Sequence, residues 1–171
     1  MTTSRTFDLN IEKILEGWEI SHAIREVIAN AIDEQSLTGS KSVEITKGGD
    51  RVWHVRDYGR GLKYQHLTQN ENIEKLQNAP KVIGKFGVGL KDAFATLHRN
   101  EVGVKILSKH GDITLELAPK SDFGDVLTLH AVISRSSDPK FAGTDFTFNG
   151  ISDGDIDAAK NSVDLNRSQY E

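Results

Sequence analysis

From Trp18 to Leu37 the apolar residues Ile20, Ile24, Val27, Ile28, Ala31 and Ile32 return every three or four positions, and Gly39 ends the pattern. That period predicts an amphipathic helix. Ser42 to Thr46 and Val52 to Arg56 instead alternate apolar with polar residues around Lys47-Gly48-Gly49-Asp50, which predicts a hairpin running directly into Asp57. Tyr64 to Ile83 is rich in Gln, Asn, Glu and Lys, with Pro80 near its end. It reads as a mobile cover carrying one or two short helices rather than as core. A second helix is expected over Val88 to Leu97, with Leu90, Ala93, Phe94 and Leu97 on its buried stripe. Strands follow at Val102 to Ser108, Ile113 to Leu117, Val126 to Ser134 and Asp145 to Phe148. A last helix, Asp153 to Val163, buries Ile156, Ala159 and Val163, and residues 166–171 read as a frayed tail.

These elements predict an α+β fold, a two-layer α/β sandwich in which helices cover one face of a mixed, mostly antiparallel sheet. The pattern shows no internal repeat or linker, so residues 1–171 are expected to form one domain. Hydrophobic residues at 37% and charged residues at 27% suit a folded globular chain and exclude a disordered one. With no cysteine there is neither a disulfide framework nor a thiolate metal site. The N-terminal residues do not resemble a signal peptide, and no apolar run has a membrane helix's length, so no membrane association and a cytoplasmic location are expected. The net charge of -4 offers nucleic acid no global attraction, although Lys81, Lys85 and Lys91 gather near one glycine cluster.

Within this frame a few residues carry chemistry. Glu26, Asn30 and Asp33 are four and three apart, so they share one side of the first helix, away from the Ile24 and Ile28 stripe. An exposed helix face presents the same pattern, and Glu-x-x-x-Asn alone does not separate the two. Asp57-x-Gly59-x-Gly61 follows a strand, where the carboxylate accepts from an exocyclic amine and the glycines let a purine lie against bare backbone. A plain Asp-Gly turn is the competing reading. Gly84, Gly87 and Gly89 precede the second helix, whose free N–H groups and dipole suit phosphate oxygens. The loop is not Gly-x-x-x-x-Gly-Lys-Ser/Thr, and no strand leads directly into it, which excludes a P-loop and a Rossmann motif. The six histidines are scattered without ligand spacing.

Taken in order, Glu26-x-x-x-Asn30-Ala-x-Asp33, Asp57-x-Gly59-x-Gly61, Gly84-x-Phe86-Gly87-x-Gly89 and Gly143-Thr144 resemble the four motifs of the GHKL superfamily. That group contains gyrase B, the ninety-kilodalton heat-shock chaperones, MutL, the MORC ATPases and histidine kinases. The resemblance covers roughly residues 18 to 150 and implies the Bergerat fold with ATP and Mg²⁺ as its ligands. By position it makes Glu26 the general base and Asn30 the ligand to a hydrated Mg²⁺, with Asp33 supporting the adenine side. It gives Asp57 the adenine amine, Gly59 and Gly61 the base, and Thr144 the ring edge. Residues 64–86 become the nucleotide lid, and Gly84, Lys85, Phe86, Gly87, Val88 and Gly89 line the phosphates. Arg60 has two readings, a partner for Glu26 or a solvent-facing loop residue.

The expected function is a slow Mg²⁺-dependent ATPase whose lid closure signals to a partner or an attached domain. The alternatives are a stand-alone protein kinase resembling the anti-sigma factors and a nucleotide sensor without hydrolysis. Asp33 disfavours the kinase, whose pattern usually carries histidine there. In gyrase, MutL and the chaperones a second domain supplies a lysine or arginine to the γ-phosphate, and 171 residues leave no room for it. The sequence leaves open a homodimer or attached transducer domain, and indicates neither a nucleic acid nor a protein client.

Overall fold

Every strand pairing in the computed structural model is antiparallel among the described residues, which are 4–9, 17–63, 67, 89–120 and 123–168. The strands are β1 (Arg5–Asp8), β2 (Glu44–Gly49), β3 (Val52–Asp57), β4 (Gly103–Ser108), β5 (Gly111–Lys120), β6 (Phe123–Ser134) and β7 (Thr144–Asn149). They form one seven-stranded sheet in the order β1-β6-β5-β4-β7-β3-β2. The sheet is therefore antiparallel throughout rather than mixed. Helices α1 (Ile20–Thr38), α2 (Leu90–Arg99) and α3 (Asp153–Ser168) complete the described elements, with α1 packed against both others and against β3. This is the two-layer α/β sandwich the sequence predicts.

Alternation along the central strands decides which face the helices cover. Val55, Phe146 and Ile106 lie side by side across β3, β7 and β4, and all three are fully buried. Ile24, Ile28, Phe94, Leu97 and Ile156 meet them from the helices in one core. The neighbouring positions His54, Thr147 and Lys105 form a polar row on the opposite face. Gly39 closes α1 in the left-handed conformation, its N–H donating to the Gln35 carbonyl at 2.9 Å. At the other side of the core, Trp53 donates from Nε1 to Asp153 Oδ1 at 3.2 Å, and Lys47 approaches the same carboxylate at 3.0 Å. This ties the start of α3 to the β2–β3 hairpin.

Several elements differ from the sequence expectation: β5 and β6 are longer than expected, and three others differ as well. β1 is an additional strand, short and carrying only Phe7 as a large apolar residue, that forms by pairing with β6. α2 begins at Leu90 rather than Val88. α3 continues to Ser168, past the point where a frayed tail is expected, because no Gly or Pro interrupts 163–168 and each added residue gains a backbone hydrogen bond. Most of the expected lid, 64–86, lies outside the described residues, as do Gly84, Lys85, Phe86, Gly87 and Val88. Leu67, within that segment, belongs to the core at 1% exposure, so this position is not mere cover.

Candidate functional site

Asp57 ends β3 on the parity of Val55, so its side chain enters the helix-covered side of the sheet, where it is 1% exposed. Its Oδ1 accepts from Gly59 N–H at 3.0 Å, and the Thr144 backbone N–H also bonds to the carboxylate. Burial pushes the Asp57 carboxyl up from 3.8 to about 6, the nearby Glu34 charge adds to the rise, and the two amides and Arg56 oppose it. An acid held near neutrality in a buried position is expensive to the fold and is the kind of group found at functional sites.

The close approaches around it depend on glycine, most strictly at Gly143. A Cβ on Gly143 would stand 2.0 Å from the Asp57 carbonyl oxygen, and Gly143 has φ +76°, so only glycine lets the Gly143-Thr144 segment lie this close. A Cβ on Gly59 would meet Glu34 Cγ at 2.4 Å. That closeness is used, since Glu34 Oε1 accepts from Arg60 N–H at 3.1 Å and from Arg60 Nε at 2.8 Å, while Oε2 accepts from Nη2 at 3.0 Å. The structure thus assigns Arg60 to Glu34, one helical turn beyond Asn30, and Glu26 to Arg25 at 2.8 Å.

Thr144 faces Ser108 across the β4–β7 pair and is 3% exposed. Its Oγ1 accepts from Leu62 N–H at 2.8 Å, and Ser108 Oγ donates to the Leu62 carbonyl at 2.8 Å. The peptide groups flanking Leu62 are therefore held from two strands. His110 adds a backbone N–H to Ser108 Oγ at 3.0 Å and places its ring Nε2 3.2 Å from the Arg60 carbonyl. Glu34 and Ser108 are organising residues that the sequence reading did not select. Ser108 had a signal, a polar residue at the inward parity of Val104 and Ile106.

On α1 the polar row divides by depth. Glu26 and Asn30 are half-buried, whereas Asp33 is fully buried. Ala29 and Ala31 beside them are buried and small. At the start of α2, exposed Gly89 donates its N–H to Asp92 Oδ2 at 3.3 Å, and Lys91 sits half-buried in the first turn. Among the described residues no three His, Asp or Glu side chains gather as a metal cage. One amide oxygen beside a carboxylate suits Mg²⁺, which keeps several waters and takes its other ligands from phosphate.

The fold is that of the GHKL class of ATPase domain. A family model described as histidine kinase-, DNA gyrase B-, and HSP90-like ATPase matches residues 18–123, and the chain belongs to that family. Membership implies ATP binding. A protein of Mycoplasma pneumoniae, described as uncharacterized, is 42% identical over 158 residues, covering 91% of this chain and 64% of its own length. The chain thus spans under two thirds of that relative. Among the described residues no helix is long and apolar enough to cross a membrane.

Proposed function

We propose that this chain binds ATP with Mg²⁺ and hydrolyses it slowly, closure of residues 64–86 over the nucleotide conveying the bound state to a partner or an attached domain. The observation that carries the reading is Asp57, a buried carboxylate raised to about 6, packed against Gly143, where a side chain would overlap the Asp57 backbone. Above that pH it is an ionised acceptor for the adenine amine, and GTP, with a carbonyl at the same place, leaves it unpaired. Thr144 and Asp33 complete the adenine side, Gly59 and Gly61 face the base, and residues 84–89 hold the phosphates. Mg²⁺, when bound, neutralises phosphate charge, with Asn30 supplying its oxygen ligand. Glu26 takes a proton from the attacking water.

The Arg25 guanidinium lies 2.8 Å from Glu26 Oε1 and so engages one oxygen of the proposed base. That contact must yield before Glu26 can reach a water, which fits slow turnover, and it is also the specific observation in favour of a nucleotide sensor. Purified protein with γ-labelled ATP separates the readings. Phosphate release that disappears in Glu26→Ala while ATP binding persists supports hydrolysis. Binding with no release supports the sensor, and label transferred to a protein supports a kinase. A cytoplasmic site of action, homodimerisation and a γ-phosphate cation from elsewhere belong to the same proposal.

A further inference from the structure

We propose that Arg56 is a positioning residue that fixes the two adenine-reading segments to each other from the opposite face of the sheet, an inference that rests on the base-reading role given to Asp57. Arg56 and Asp57 are adjacent on β3, so their side chains leave opposite faces. On the polar face the Arg56 guanidinium carbon lies 4.5 Å from the centre of the Tyr58 ring and 4.2 Å from that of Phe141. Its Nη2 reaches the Ala142 carbonyl at 3.4 Å. Tyr58 directly follows Asp57, and Phe141-Ala142 directly precede Gly143-Thr144. One cation therefore stacks on both segments that build the adenine end.

Glu44 stands opposite Arg56 on β2 and attracts it, but its carboxylate is engaged by Tyr58 and Lys41, so the close contacts of this guanidinium are the two rings and the Ala142 carbonyl. Asp145 stands opposite Arg56 on β7, but its Oδ2 is engaged by His54 and Thr147, each at 3.1 Å. Arg56 Nε is buried and has no hydrogen-bond partner among the described residues. A planar cation between two rings keeps their separation through cation–π attraction, which neither an aliphatic chain nor a tetrahedral ammonium reproduces fully. Tyr58 is itself anchored, its hydroxyl donating to Glu44 Oε1 at 2.9 Å and Lys41 Nζ lying 4.6 Å from its ring centre. With Tyr58 fixed, Arg56 transmits that position to Phe141 and so to Thr144. The tolerance is narrow, because even a Cβ at Gly143 would overlap the Asp57 carbonyl.

The test compares wild type, Arg56→Met and Arg56→Lys by amide hydrogen exchange without nucleotide and by calorimetry with ATP and GTP. Gly59 and Leu62 are the reporting amides, because they bond to Asp57 Oδ1 and Thr144 Oγ1, and Ile106 is the reference in the core. Arg56→Met should speed exchange at Gly59 and Leu62 by about tenfold and leave Ile106 unchanged. It should weaken ATP by about fivefold with little change for GTP, and Arg56→Lys should recover part of both effects. Unchanged exchange at the two reporters, or faster exchange at all three together, overturns the role of Arg56. If wild type binds no ATP while the local exchange effect stands, the proposed function fails and the positioning role does not.

Discussion

The two ends of the candidate site are built differently. At the end proposed for adenine, bonds from α1, β4 and β7 converge on residues 57–62, and Gly143 occupies a space that admits no side chain. At the end assigned to chemistry, Glu26 rests on its sequence neighbour Arg25, and the Gly89 amide is capped by Asp92. Both contacts are local to one helix and partly open to water, the kind that exchange partners easily. On the proposed roles, the contrast teaches that the base-reading end is held by contacts from three elements, while the end proposed for chemistry is held by contacts that a nucleotide could rearrange.

The largest expected effect breaks the adenine end directly. Gly143→Ala forces a methyl group into the Asp57 carbonyl at a positive φ, and should cost on the order of 3 kcal/mol of stability with ATP binding lost. Urea unfolding and calorimetry measure the two. Next, Asn30→Ala should remove the Mg²⁺ dependence of ATP binding while leaving metal-free binding intact. Titrations with and without Mg²⁺ check it, and equal affinities for wild type under both conditions would remove Asn30 from the metal role.

Asp57→Asn separates affinity from stability. Because the folded carboxyl sits at about 6 against an ordinary 3.8, the folded state holds the proton more tightly than the unfolded state. Its contribution to stability is fully present below about 4 and is lost as pH rises through 6. Ionised Asp57 then costs on the order of 3 kcal/mol at most. Asp57→Asn should weaken ATP by about tenfold yet be more stable than wild type above pH 7, with the wild-type decline between pH 4 and 6 absent from its unfolding curves. The smallest effect is at the α1 brace. Arg60→Ala removes a half-exposed pair and should raise the KM for ATP about threefold with kcat unchanged, seen in steady-state kinetics.

Much of this was legible along the chain, for identifiable reasons. The period of Ile24, Val27, Ile28 and Ala31 and the alternation in β3 and β7 gave the layers, since one face of each is buried. The motif glycines marked the close approach of residues 57–62 to Gly143-Thr144, because their requirement is local in the backbone. β1 was not legible, since Arg5–Asp8 has little strand character without β6 beside it. Nor was β5 in full, where Gly111 and Pro119 conceal strand that the β6 register supports. Glu34 and Ser108 escaped because their partners lie 26 and 46 residues away in sequence, a distance no spacing rule spans.

The clamp of Trp53 on Asp153 has an optical consequence. The chain has two tryptophans, and they lie in separate neighbourhoods. Trp53 has its indole N–H on the Asp153 carboxylate, with Lys47 and Lys160 each about 6 Å from its ring centre. Trp18 lies beside His22 and under Arg25, the partner of Glu26. Single-tryptophan variants would therefore give two native fluorophores, one coloured by the docking of α3 and the other by movement of the guanidinium that holds Glu26. Their emission shifts, recorded in the same nucleotide titration, would time those two events independently and without any attached label.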